Sequence, residues 1–205
     1  MKLTDERVVP DLMNPMNGLL LEHIARYQFS IEYAKGEVLD LACGSGFGTQ
    51  LIAKARKENI TTVIGVDVSS EAILYARGRY YHPLVSYKQG SVEDNNFMNS
   101  LGLFDTIISF ETIEHVSDDR LFLQQLLNRL KPGGTLVLST PFGKGRETSC
   151  SAEFHYHQLT VDEFHHLFDA YPQTMFYYQK GVLIEPPRNS IHYPLGIAVC
   201  KTKED

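Results

Sequence analysis

Apolar residues fall along this chain in two rhythms that take turns. Short apolar runs at 37–42, 62–66, 85–89, 104–110 and 135–139 read as strands. Between them lie stretches with helical spacing, over about 48–58, 70–79 and 117–130, with Ser70 placed to cap the second. In the third, Leu123, Leu126, Leu127 and Leu130 stand at i, i+3, i+4 and i+7 and form one apolar stripe. Lys131-Pro132-Gly133-Gly134 then stops the helix. Ahead of the first strand, Leu20, Ile24, Tyr27 and Ile31 predict a helix within about 16–34.

Beyond Pro141 the rhythm changes. Residues 142–157 form a loop rich in Gly, Ser and His, too long for a mere connector. Thr160-Val161-Asp162-Glu163 is a capping box that opens a helix to about residue 168. Runs at 175–179 and 191–200 read as a closing pair of strands. Strand–helix units followed by two strands predict an α/β fold, a doubly wound, Rossmann-like, mostly parallel sheet.

Composition narrows the partners. A chain of 205 residues buries one good core and is short for two, so a single domain over 1–205 is expected. A net charge of −6 with no Lys/Arg cluster leaves no electrostatic footprint for nucleic acid. Cys43, Cys150 and Cys200 form no C-x-x-C pair, so neither a disulfide framework nor a zinc site is suggested. The first ten residues, with Lys2, Asp5, Glu6 and Arg7, hold no apolar signal core, and no run approaches the roughly 18 apolar residues of a membrane span. The expectation is a cytoplasmic protein with a small-molecule partner and no nucleic acid or membrane partner; a homodimer stays open.

The chemistry concentrates in Val38-Leu39-Asp40-Leu41-Ala42-Cys43-Gly44-Ser45-Gly46-Phe47-Gly48. An apolar run is followed by three glycines at every second position, then by Thr49-Gln50-Leu51-Ile52-Ala53. This reads as a buried strand, a tight turn and a helix start, where bare main chain lets a ligand approach without a Cβ in the way. A dinucleotide fingerprint needs G-x-G-x-x-G, whereas from Gly44 the pattern is G-x-G-x-G followed by Thr49. An NAD-linked Rossmann oxidoreductase therefore fits imperfectly. An acid at Asp67, nineteen residues beyond Gly48, also disfavours a 2′-phosphate.

Five segments in order make the chain resemble the class I S-adenosylmethionine-dependent methyltransferases. They are 38–48, Val63-Ile64-Gly65-Val66-Asp67, Gln89-Gly90-Ser91-Val92-Glu93-Asp94, 104–115 and 130–141. Glu22-His23-Ile24-Ala25-Arg26-Tyr27 and Phe154-His155-Tyr156-His157 are similar to a bacterial branch associated with sugar and small-molecule modification. The resemblance covers about 20–200. It implies a seven-stranded sheet with an antiparallel C-terminal strand, and S-adenosylmethionine lying across the carboxyl ends of strands one, two and four.

Site residues follow from that resemblance. Gly44 and Gly46, with the main chain of Ala42 and Cys43, would pass under the methionine and ribose. Asp40 would accept from the turn's amides or the cofactor ammonium. Ala42 stands where many members carry a glycine, which costs energy if its φ is positive. Asp67, with Val68 beside it, would hold both ribose hydroxyls; Ser91, Val92 and Glu93 would edge the adenine. Phe110 and Glu111 would face the methionine end. Arg26, from an N-terminal helix acting as a lid, is the candidate for the cofactor carboxylate, with Glu22 four residues earlier competing for it.

His155 and His157 are the candidate catalytic residues, either one taking a proton from an acceptor hydroxyl. Their i, i+2 spacing suits a ligand pair, but no carboxylate or thiol completes a set at usual spacing, so no metal is expected. The implied function is methyl transfer from S-adenosylmethionine to a small acceptor, a sugar or metabolite hydroxyl or amine. No Asn/Asp-Pro-Pro-aromatic stretch follows strand four, where Ser109-Phe110-Glu111 stands, which removes the amino-methylating DNA enzymes. The alternatives are a non-catalytic regulator that senses the cofactor and the NAD-linked oxidoreductase.

Overall fold

In the computed structural model, which describes residues 7–148 and 154–204, the sheet grows outward from β1 (Gly36–Leu41). Cys150, Lys2, Asp5 and Glu6 lie outside the described residues. Successive β1 side chains point to opposite faces: Val38 packs into a cluster with Tyr27, Ile52 and Ala53, and Leu39 into one with Ile107, Leu123 and Leu126. Helices cover both faces, so the central strands are apolar on both sides and read as unbroken runs. On the Val38 face lie α1 (Gly18–Ser30) and α2 (Phe47–Ala55). The Leu39 face is covered by α4 (Asn95–Ser100), α5 (Asp119–Leu127) and α6 (Val161–His166). The helix α3 (Ser70–Arg79) packs its Ile73 and Ala76 on Tyr87 and Cys43.

The remaining strands are β2 (Ile60–Asp67), β3 (Val85–Gln89), β4 (Phe104–Phe110), β5 (Leu130–Pro141), β6 (Thr174–Lys180), β7 (Leu183–Glu185) and β8 (Leu195–Lys201). Their order is β3-β2-β1-β4-β5-β8-β6-β7. Strands β1 to β5 run parallel, and β8 lies antiparallel between β5 and β6. The chain leaves β1 toward β2 on one side and returns to β4 on the other, which opens a crevice above their carboxyl ends.

The sheet has eight strands, not the seven expected. The extra one, β7, is three residues long and folds back on β6 through Gly181 at φ 59°, too short to register as an apolar run. The helix α4 was also invisible in the pattern; Asp94 caps it by accepting from the Asn96 and Phe97 amides. Ser69, not Ser70, caps α3. Leu130 begins β5 rather than ending a helix: it sits in the same apolar cluster as Leu123, Leu126 and Leu127, so the stripe marks a shared core rather than one continuous helix. Among the described residues no helix is long and apolar enough to cross a membrane.

Candidate functional site

A cleft of about 820 Å³ opens over the carboxyl ends of β1, β2 and β4. Its floor is the turn after β1. Cys43 N–H donates to Val66 O at 2.9 Å and Gly46 N–H to Cys43 O at 3.0 Å. Gly44 N–H donates to Asp67 Oδ2 at 2.9 Å, while Asp67 Oδ1 accepts from Ser69 N–H at 2.8 Å. One carboxylate thus ties the glycine turn to the start of α3. Gly44 has φ 54°, and a Cβ built there would meet nothing within 4 Å, so its peptide faces open space. Gly46, at φ 84°, is closed in: a Cβ there would lie 2.6 Å from Ala76 and 2.8 Å from Tyr87. It serves packing against α3 and β3 and does not line the cleft.

Backbone strain gathers here. Four non-glycine residues among those described have positive φ, and three of them line the cleft: Ala42 (59°), Glu111 (47°) and Phe154 (71°). Such conformations persist where surrounding structure imposes them, and they concentrate at functional sites. Ala42 therefore carries the cost anticipated for a residue replacing glycine.

Glu111, just past β4, meets two groups from α1. Arg26 pairs with its Oε2 and also donates to Gln179 Oε1 at 2.8 Å; His23 Nε2 lies 2.8 Å from the same Glu111 oxygen. Burial pushes the Glu111 carboxyl up, but the His23 hydrogen bond and the charges of Arg26, His23 and His155 outweigh it and hold it at about 2. Arg26 is only 1% exposed and does not line the cleft. Its partner is Glu111, not the Glu22 side chain weighed from the sequence. Asp40, also 1% exposed, lies beneath the cleft, where Oδ2 accepts from Thr49 Oγ1 at 2.5 Å and Oδ1 from Tyr27 OH at 3.2 Å. Burial raises its carboxyl to about 7 against the pull of those two hydroxyls, with the Asp67 charge adding to the rise.

The two histidines of the loop after β5 part company. His155 lines the cleft, whereas His157 turns into the protein with Nε2 3.3 Å from Asp119 Oδ2. Arg146 binds that same Asp119 oxygen through Nε at 2.8 Å. On the His155 side the cleft brings in Glu114 and His115, carried on a 3-10 turn over Ile113–His115. Sequence reading assigned neither Glu114 nor His115 a role; the Glu-His pair a few residues past strand four was their only signal.

The structure therefore gathers Ala42, Cys43, Gly44, Asp67, Val68, Ser91, Val92, Glu93, Phe110, Glu111 and His155 around one cleft. It places Arg26, Asp40, Gly46 and His157 one layer behind it, each against a named partner. His23, Tyr27 and Leu19 of α1 form one wall of the cleft; sequence reading expected this helix to act as a lid but named only Arg26 from it.

A parallel sheet with a glycine turn and an acid-ended second strand around a crevice defines a nucleoside-binding, Rossmann-like protein. A family model described as "Methyltransferase domain" matches residues 33–175, and the chain belongs to that family, the class I S-adenosylmethionine-dependent methyltransferases. A probable S-adenosylmethionine-dependent methyltransferase of Mycobacterium tuberculosis (strain ATCC 25618 / H37Rv) is 32% identical over 166 residues, covering 78% of this chain and 57% of that protein. A ubiquinone biosynthesis O-methyltransferase of Xanthomonas euvesicatoria pv. vesicatoria (strain 85-10) is 32% identical over 133 residues, 62% of this chain and 51% of the other. Among solved structures, the N-methyltransferase NodS from Bradyrhizobium japonicum WM9, in complex with S-adenosyl-L-homocysteine, shares the fold. Its TM-score is 0.65 at 16% identity, over 98% of this chain and 94% of that one. The chain spans 51–63% of the length of the curated relatives it matches. S-adenosylmethionine is the family's cofactor, which sets the NAD-linked alternative aside.

Proposed function

We propose that this chain transfers a methyl group from S-adenosylmethionine to a small molecule bearing a hydroxyl or amine. One observation carries the reading: Asp67 accepts the Gly44 amide at 2.9 Å, so two motifs 23 residues apart close on one cleft. The residues present fit the cofactor. Gly44 offers an open peptide face, Asp67 a carboxylate with lone pairs to spare, and Val68 and Val92 apolar walls for a base.

In this reading Ala42, Cys43 and Gly44 lie under the ribose and methionine. Asp67 accepts the sugar hydroxyls, Ser91, Val92 and Glu93 edge the adenine, and Glu111 faces the ammonium. Arg26 acts through Glu111, holding it charged and in place, and Asp40 anchors Thr49 and Tyr27 beneath the turn. The helix α1 closes one wall as a lid. Bound S-adenosylmethionine supplies a methyl already activated on a sulfonium, so what the chain contributes is alignment and exclusion of water. The acceptor end falls to Pro141, Glu114, His115 and His155, which line the cleft past β4 and β5, whereas Asp67 ends β2 on the other side of β1.

The Xanthomonas protein is an O-methyltransferase by name and NodS an N-methyltransferase, so the choice of acceptor atom has to come from the site itself. Isothermal calorimetry with S-adenosylhomocysteine tests the reading. Binding is expected, with an affinity loss of roughly 10–100-fold in Asp67→Ala for a lost charge-assisted bond. No heat at millimolar ligand ends it. Binding without turnover across acceptor pools would favour the regulator.

A further inference from the structure

We propose that Glu114, His115 and His155 form a divalent transition-metal site on the acceptor side of the cleft; the role given to the ion rests on the methyl-transfer reading above. The three residues each present one ligand atom, and these atoms all lie within 4.8 Å of one another. An ion with bonds of about 2.0–2.2 Å in tetrahedral geometry holds its donors roughly 3.3–3.6 Å apart, so the three side chains close the set by drawing together by about 1 Å. All three residues line the cleft.

Each donor is held from behind. His115 Nδ1 lies 3.0 Å from the Phe154 carbonyl oxygen, which can only accept; a ring hydrogen therefore sits on Nδ1, and Nε2 is the ring atom that would ligate an ion. Thr140 Oγ1 donates to Glu114 Oε2 at 3.2 Å and orients that carboxylate. Tyr156 N–H donates to Glu114 O at 2.9 Å, which fastens the segment bearing His155 to the turn bearing the other two. The two imidazoles meet edge to face with centroids 4.6 Å apart. Glu114 is 1% exposed, which fixes its carboxylate in place rather than leaving it to sample solvent. Strained backbone at Glu111 and at Phe154 lies just ahead of each half of the cluster.

Two nitrogens and one oxygen suit zinc, cobalt, manganese or iron in the divalent state, and not magnesium or calcium, which take oxygen sets. Three protein ligands leave coordination positions open to the cleft, the arrangement of a catalytic rather than a structural site. A hydroxyl of the acceptor takes one of them. Its pKa falls as that of bound water does, by about 7 units or more; the O–H proton passes to solvent and the oxygen stays on the ion as an anion. The acceptor is then a hydroxyl compound, since an amine bound to the ion would lose the lone pair it needs. His157, tied to Asp119, is not a ligand.

The full chain, stripped with a chelator, is titrated with Co²⁺ and read by visible d–d absorption, with S-adenosylhomocysteine calorimetry on the same preparation. One equivalent of Co²⁺ is expected, with the band abolished in His115→Ala and His155→Ala. Thr140→Val keeps the band and weakens affinity about 10–100-fold, as loss of an outer hydrogen bond does. No cobalt uptake by protein that binds S-adenosylhomocysteine overturns the site and leaves the methyl-transfer reading standing. A band that survives both histidine variants overturns the assignment to these residues. Cobalt uptake by protein that gives no heat with S-adenosylhomocysteine overturns the ion's proposed role.

Discussion

Replacing Asp40 by Asn should change how the stability of this protein responds to pH. The carboxyl is 1% exposed at the end of β1, and burial raises it from 3.8 to about 7 although the Thr49 and Tyr27 hydroxyls pull the other way. The folded state then binds this proton more tightly than the unfolded chain. The stability gained is complete below about 3.8, drains away as pH rises toward 7 and is gone above it. At 1.36 kcal/mol per unit, the shift corresponds to about 4 kcal/mol, a large share of the roughly 5–15 kcal/mol that holds a domain together. Asn imitates the neutral carboxyl, with one acceptor oxygen and one donor, and does not titrate.

Urea unfolding followed by far-ultraviolet circular dichroism at pH 4, 6 and 8 measures the effect. Subtracting the wild-type value from that of Asp40→Asn at each pH cancels every other titrating group, including the histidines. The difference should grow by about 4 kcal/mol in favour of the variant between pH 4 and pH 8. A difference constant to within about 1 kcal/mol across that range would refute the reasoning and mean that Asp40 is charged in the folded protein throughout.

Ala42→Gly should raise stability by roughly 0.5–1 kcal/mol, because relieving φ 59° outweighs glycine's extra chain entropy; an unchanged or lower unfolding midpoint would count against strain there. Gly48→Ala would place a Cβ 2.0 Å from the Tyr27 ring and should cost about 1–3 kcal/mol or more, read as a fall in melting temperature. Arg26→Met leaves the Glu111 carboxylate without its main counter-charge and should cost about 3–5 kcal/mol, again by urea unfolding. His155→Ala should lower turnover about 100-fold or more by homocysteine release, whereas His157→Ala should instead lose about 1–3 kcal/mol of stability; the reverse pattern would exchange their roles.

What could be read from the sequence was whatever depends on being buried from both sides or on a local turn. β1, β4 and β5 announce themselves because Leu39, Ile107 and Leu136 point to one helical layer and Val38, Ile108 and Val137 to the other. The glycine turn and Asp67 were legible because a bare peptide and an acid after an apolar run are local signals. The direction of a side chain is not local. Asp40 and Arg26 belong to the right elements but face inward, and only the packing of α1 against β1 and β6 reveals it. His155 and His157, two residues apart, invited treatment as a pair, yet the partner that matters to His155 is His115, forty residues earlier. No spacing rule links a turn after one strand to a loop after the next.

Asp67 has one lone pair of each oxygen held by a main-chain amide, Gly44 on one and Ser69 on the other, before any sugar arrives. If it holds the ribose as proposed, that grip is rigid from the start and indifferent to whether the attached sulfur carries a methyl. The spent cofactor would then compete with the fresh one on nearly equal terms at this end. Turnover would depend on how quickly the cell clears the demethylated nucleoside, and any preference for the charged sulfur would have to arise near Glu111 instead.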